Sequence, residues 1–229
     1  MSADPVAVAL LERARRTRDD LEARLLLAAA VQRAAEGVGV LSVVTGGTAV
    51  DFYVAGASGT SATYPLAWRA SADVDLVAVS VKGSGDARRR VKEAVRDVLG
   101  MQVASLGRTA DGVELLDRAL YLEGFGYGVE IVADEVAGDP RAERVWTVEV
   151  DGHPVTLQGP EDTLIAYAES GWHFHHPRDW ERALGIFAAM KDEMDLAYLQ
   201  KRARERHMPR VLAEAMAIHP LPKDPQPLS

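Results

Sequence analysis

Cysteine is absent from the 229-residue chain. That excludes disulfide staples, thiolate nucleophiles and cysteine-ligated metal, and it fits a reducing compartment. An uncharged apolar run of about 18 residues, the length a membrane span needs, is also missing. The N-terminal Met1-Ser2-Ala3-Asp4-Pro5 lacks a basic stretch followed by an apolar one, so no secretory signal is expected. No internal repeat is found. These absences lead to the expectation of a soluble, cytoplasmic protein that does not engage a membrane. Positive charge is not in excess either: the net charge of −8 runs against the basic footprint of a dedicated nucleic-acid binder.

The basic residues that are present cluster. Arg13, Arg15, Arg16 and Arg18 read as part of a first helix; Arg88, Arg89, Arg90 and Lys92 follow a candidate strand; Lys201, Arg202, Arg204, Arg206 and Arg210 lie near the end. Each cluster reads either as the solvated face of an amphipathic helix or as a contact for RNA phosphates. A 48% hydrophobic content supplies a real core, and the length suits one average domain with a smaller one beside it.

Two short segments carry the chemistry. Val43-Val44-Thr45-Gly46-Gly47-Thr48-Ala49-Val50-Asp51 runs from a β-branched strand through a double glycine into a helix expected at about 48–55. Glycine lets backbone approach a ligand closely, and a helix N-terminus favours phosphate. Ser71-Ala72-Asp73-Val74-Asp75-Leu76-Val77 is a strand with carboxylates at i and i+2. Alternation puts Asp73 and Asp75 on one face while Val74 and Leu76 enter the core. Two carboxylates fixed side by side repel unless a cation sits between them, and hard oxygen ligands suit Mg²⁺. A phosphate cradle beside metal-binding carboxylates describes a Mg²⁺-nucleotide site.

Gly46-Gly47-Thr48 followed by Asp73-Val74-Asp75 resembles the nucleotidyltransferase superfamily related to DNA polymerase β. Within it the chain looks most like the abortive-infection AbiEii-type toxins and their relatives. The resemblance spans roughly residues 40–200, with the two motifs its specific part. It implies an α/β (α+β) fold: a small mixed sheet flanked by helices, then a helical C-terminal region. It implies Asp73 and Asp75 as ligands of two Mg²⁺ ions and Gly46, Gly47 and Thr48 as nucleotide contacts. A third carboxylate is expected on a neighbouring strand, and Glu130 in Tyr127-Gly128-Val129-Glu130-Ile131-Val132-Ala133 fits that place as metal ligand and activator of the attacking hydroxyl. Glu123, Asp134 and Glu135 are its competitors.

The implied activity transfers a nucleoside monophosphate from an NTP to an acceptor hydroxyl. RNA, notably tRNA, would be the acceptor, in a toxin held by a cognate antitoxin protein. The alternatives are a small-molecule acceptor, as in the aminoglycoside nucleotidyltransferases, or a nucleotide- or partner-binding module without turnover.

Gly159-Pro160-Glu161-Asp162 resembles the helix start that follows the catalytic sheet in the AbiEii-like chains, and His176-Pro177-Arg178-Asp179-Trp180 resembles their R-D segment. The lysine those chains place about one turn after P-E-D is replaced here by Ala166, Tyr167 and Ala168. Arg178 is the expected substitute phosphate contact. Between them, Gly171-Trp172-His173-Phe174-His175-His176-Pro177 reads as aromatic packing of a helix–helix loop, a base-contacting loop, or a zinc site.

The expected organisation is N-terminal helices at 1–37, a nucleotidyltransferase domain at 38–157, a helical region at 158–218 and a flexible Pro-rich tail at 219–229. A β-hairpin across Asp151-Gly152 is expected from the type I′ turn signal.

Overall fold

The computed structural model describes residues 4–57, 73–80, 87–100, 102–103, 119–121, 128–133 and 144–208, with positions 210, 213 and 217. The chain divides into two compact units, Met1–Phe52 with Leu66–Gly159, and Tyr53–Pro65 with Pro160–Ser229.

In the first unit the N-terminal periodicity resolves into two helices, α1 (Pro5–Ala14) and α2 (Asp20–Glu36). Asp4 caps α1 by accepting from the N–H groups of Val6 and Ala7, with Pro5 in the first turn. Asp19 caps α2 through Glu22 N–H at 2.7 Å. Because α1 ends at Ala14, only Arg13 of the first basic cluster is helical; Arg15, Arg16 and Arg18 fall in the connection to α2. Arg13 pairs with Asp151 at 2.6 Å.

Residues 23–32 of α2 are buried without interruption. A helix buried on every side belongs in the middle of a core, and α2 packs on α1, on β1 (Val40–Thr45), on β7 (His153–Gln158) and on α4 (Ala87–Leu99). Most of its buried residues are Ala, Leu and Val; the exceptions are Arg24 and Gln32. Gln32 donates to the carbonyls of Ser42 at 2.9 Å and Thr156 at 2.7 Å, and accepts from Thr156 N–H at 3.0 Å. One side chain thereby ties the helix to two strands.

The sheet has the order β3-β4-β5-β2-β1-β7-β6 among the described residues. Its remaining members are β2 (Asp73–Ser80), β3 (Gln102–Val103), β4 (Ala119–Tyr121), β5 (Gly128–Ala133) and β6 (Val145–Val150). It is mixed: β2 runs antiparallel to β1 and parallel to β5, while β1 runs parallel to β7. The β6–β7 hairpin turns at Asp151 (φ 55°) and Gly152 (φ 77°), the double positive φ that a type I′ turn requires. α3 (Gly46–Ala57) follows β1 directly, and the unit boundary falls within it after Phe52.

The second unit is helical, with α5 (Pro160–His173), α6 (Pro177–Met190) and α7 (Leu196–Glu205). The P-E-D start of α5 is buried rather than surface-facing. Glu161 accepts from the N–H of Asp195 at 2.7 Å, and both oxygens of Asp162 accept from the Tyr198 hydroxyl at 3.1 and 2.9 Å. Arg202 adds its charge to Asp162 at 3.5 Å. Burial pushes the Asp162 carboxyl up, with Tyr198 and Arg202 opposing. This cluster fixes α7 against the first turn of α5.

The fully bonded Gln32 generates a stability prediction. Gln32→Met preserves volume but leaves the Ser42 and Thr156 backbone groups unpaired in the core. Denaturant unfolding is expected to show a loss of about 3 kcal/mol, and a loss below about 0.5 kcal/mol would show that these bonds contribute nothing net.

Candidate active site

The site grows from the register of three strands. Thr45 of β1, Asp75 of β2 and Glu130 of β5 are direct cross-strand partners, with Asp73 opposite Gly128. Directly paired residues share a face of a sheet, so Asp75 stands between Thr45 and Glu130. Val74 and Leu76 are fully buried, whereas Asp73, Asp75 and Glu130 are half-buried, the alternation expected of a strand with one wet face. The Thr45 hydroxyl donates to Gln158 Oε1 at 2.7 Å. A polar row of Gln158, Thr45, Asp75 and Glu130 therefore crosses the sheet.

The electrostatics of this row centre on Asp75. Burial first, then the charges of Glu130 and Asp73, push its carboxyl up from 3.8 to about 6, against a hydrogen bond from Gly47 N–H that favours the ionised form. Like charges crowded this way favour a cation, and three carboxylates are the donor set that a hard divalent ion takes. The fit to Mg²⁺ is therefore good in chemistry. Among the described residues, no three His, Cys, Asp or Glu side chains are drawn together into a ready-made metal cage.

The double glycine is shaped by Asp75. Gly46 has φ 63°, in the left-handed region, and a Cβ there would collide with the Asp75 carboxylate. The helix begins at Gly46 itself, two residues before the sequence reading placed it, because this glycine turns the chain at the end of β1. Gly47 is buried and gives its N–H to Asp75. Thr48 is fully buried; its hydroxyl donates to the carbonyl of Asp73 at 3.1 Å and accepts from Arg24 Nη1 at 3.1 Å. The motif's glycines and threonine thus join the carboxylate strand to the start of α3.

Arg24, Thr45 and Gln158 were not singled out by sequence reading. The signal for Arg24 was a lone arginine in the apolar run Ala23-Arg24-Leu25-Leu26-Leu27. The competitors Glu123, Asp134 and Glu135 lie outside the described residues, as do residues 58–72 and the expected tail at 219–229. Arg178 is exposed on α6 and belongs to the second unit. His173, His175 and His176 are exposed, and they form no metal-holding group among the described residues. Arg89 pairs with Glu93 at 2.8 Å on the exposed side of α4, so part of that basic cluster is neutralised within its own helix. No described helix is long and apolar enough to cross a membrane.

No protein-family model matches the chain, and no curated protein is significantly similar to it. Among solved structures, the chain is similar to the crystal structure of an antigenic nucleotidyltransferase-like protein from Paracoccidioides brasiliensis. The TM-score is 0.54 at 15% identity, over 88% of this chain and 94% of that one. It also matches the solution structure of antibiotic-resistance factor ANT(2'')-Ia, with TM-score 0.46 and 18% identity, over 82% of this chain and 94% of that one. The first likeness establishes a nucleotidyltransferase-like fold.

The crowding at Asp75 has a pH signature. A carboxyl whose folded pKa is raised binds its proton more tightly folded than unfolded, so its contribution is fully present below the unfolded value and is lost as pH rises through about 6. In metal-free buffer, the melting temperature of the wild type is expected to fall relative to that of Asp75→Asn between about pH 4 and pH 7. Thermal scans of the two proteins running parallel at every pH would show that Asp75 is not crowded.

Proposed function

We propose that the chain is a Mg²⁺-dependent nucleotidyltransferase that moves a nucleoside monophosphate from an NTP to an acceptor hydroxyl. The observation that carries this reading is the register that sets Asp73, Asp75 and Glu130 on adjacent strands beside the Gly46-Gly47 turn. Asp73 and Asp75 would hold the metal ions, with Glu130 as the third ligand. When bound, Mg²⁺ neutralises charge developing on the phosphates and orients the triphosphate. The acceptor oxygen attacks the α-phosphorus, the bond to the β-phosphate bridging oxygen breaks, and pyrophosphate leaves. Glu130 takes the hydroxyl proton on a carboxylate oxygen. Gly46, lacking a side chain, leaves room for Asp75 to face this exchange.

RNA as acceptor and an antitoxin protein as partner are the finer form of the same proposal, supported by the family resemblance. A second reading, nucleotide binding without turnover, is favoured by the region after P-E-D. Ala168 is buried there, and the Tyr167 ring lies under Arg182, whose guanidinium carbon is 5.5 Å from the ring centroid. Neither residue supplies the expected cation, which leaves that role to Arg178.

Calorimetric titration of each NTP with and without Mg²⁺ tests the proposal. The wild type is expected to bind at least one NTP only with the metal, and Asp73→Asn/Asp75→Asn to lose this binding. Labelled NTP is then offered with tRNA and with small-molecule acceptors. Binding without transfer to any acceptor selects the second reading, while a folded wild type that binds no NTP would overturn both.

A further inference from the structure

We propose that Arg24 is a positioning residue of the candidate metal site, acting through Thr48 to fix where the Asp73–Asp75 strand begins relative to the glycine turn. The proposal rests on the site described above and extends it to a side chain whose hydrogen bonds go to Asp20, Thr48 and Asp51 rather than to any of the three carboxylates.

Arg24 is 1% exposed at the N-terminal end of the central helix α2. Each of its three guanidinium nitrogens has a partner. Nε donates to the carbonyl of Asp20 at 3.2 Å, Nη1 to the Thr48 hydroxyl at 3.1 Å and Nη2 to Asp51 Oδ2 at 2.7 Å. Thr48 and Asp51 are one turn apart on α3, so the planar fork meets both on one helix face. Thr48 passes the link on, since its hydroxyl donates to the backbone carbonyl of Asp73.

Asp73 is thus held through its backbone to α3 and α2. Two residues further, Asp75 is held through its side chain by Gly47 N–H. The two attachments fix both ends of the D-x-D segment against the same helical turn. Removing the first leaves Asp73 held by its pairing with β5 but no longer tied through Thr48 to α3.

The alternative is that Arg24 merely helps α2 to pack. An apolar residue of similar length would serve that end at least as well, because a buried ion pair seldom exceeds a well-packed hydrophobic replacement in stability. What the guanidinium supplies and a methionine does not is direction: a bond to Thr48 oriented so that the hydroxyl's own hydrogen faces Asp73. Gln32 provides the internal control. It is equally a buried polar side chain on α2, but its partners Ser42 and Thr156 are not site residues.

The test compares Arg24→Met, Thr48→Val and Gln32→Met in the full-length chain. Two readouts are followed: Mn²⁺ affinity by calorimetry, and hydrogen exchange of the Gly47 amide by NMR. Arg24→Met and Thr48→Val are each expected to weaken Mn²⁺ binding about tenfold or more, the size usual for groups that orient metal ligands. Both should speed Gly47 exchange, and the double variant should be little worse than either single one, because they break one chain of bonds.

Gln32→Met should lower stability and leave both readouts as in the wild type. Unchanged Mn²⁺ affinity and Gly47 protection in Thr48→Val would overturn the proposal, as would an equal loss in Gln32→Met. Should Arg24→Met fail to fold, Thr48→Val decides alone, since it leaves the Arg24–Asp51 pair intact. Should the wild type bind no Mn²⁺, the metal-site reading fails, while Gly47 exchange still decides whether Arg24 and Thr48 set the turn.

Discussion

A guanidinium buried in a helix of alanines and leucines must either find partners for its donors or unfold the helix that carries it, because stranding a charge in the core costs about 3–5 kcal/mol. Arg24 finds them in Asp20, Thr48 and Asp51, and much of the first unit follows from that requirement. α3 must start where Thr48 and Asp51 can face α2, so β1 must end at Thr45 and the chain must turn at once. The turn needs a residue that tolerates positive φ and offers no Cβ to the neighbouring strand, which is the place of Gly46. With α3 so placed, Thr48 reaches Asp73, and β2 is held at its first residue.

The other buried polar residue of α2 works on the opposite part of the sheet. Gln32 ties β1 to β7 through backbone groups, on the side away from the carboxylates in strand order. The helix therefore meets α3 through Arg24 and the sheet through Gln32, two directional contacts beside a continuous apolar surface. Directional contacts fix register and rotation, which apolar packing alone leaves loose. That division explains why such an alanine-rich helix carries two polar groups that a hydrophobic scale would not place inside.

The glycine turn, the D-x-D strand, the hairpin at Asp151-Gly152 and the proline start of α5 were legible in the sequence because each rests on a local rule: a φ that only certain residues adopt, a period of two, a missing N–H. The pairing of Glu130 with Asp75 was legible only through family likeness, since strand register joins residues far apart in the chain. Thr48 was legible as part of a motif but not in its role. Its position before a helix suggested phosphate contact, while its burial and two hydrogen bonds are fixed by α2, which no local pattern announces. Arg24 left a trace as a charge in an apolar run, yet its partners could be known only once α2 was packed against α3. Glu161 and Asp162 show the same limit: a motif read by resemblance as the helix start after the catalytic sheet does open α5, but its role as the anchor of α7 had no local signal.

The arrangement at Asp75 runs against stability, and the scaffold around it makes sense in that light. A half-buried carboxyl with two carboxylates beside it would relax if it could, by rotating to solvent or by letting β2 slip along its neighbours. Rotation is checked by Gly47 N–H, which holds the charged form in place. Slippage is checked by the parallel pairing with β5, the antiparallel pairing with β1 and the backbone bond from Thr48. Strain of this kind persists only where the surroundings over-determine it. An over-determined cluster of like charges on one face of a sheet favours a partner of opposite sign, and it does so before that partner arrives. The buried arginine that holds the cluster is kept on the far side of Thr48, close enough to fix the strand through one hydroxyl while its own charge is taken up by Asp51.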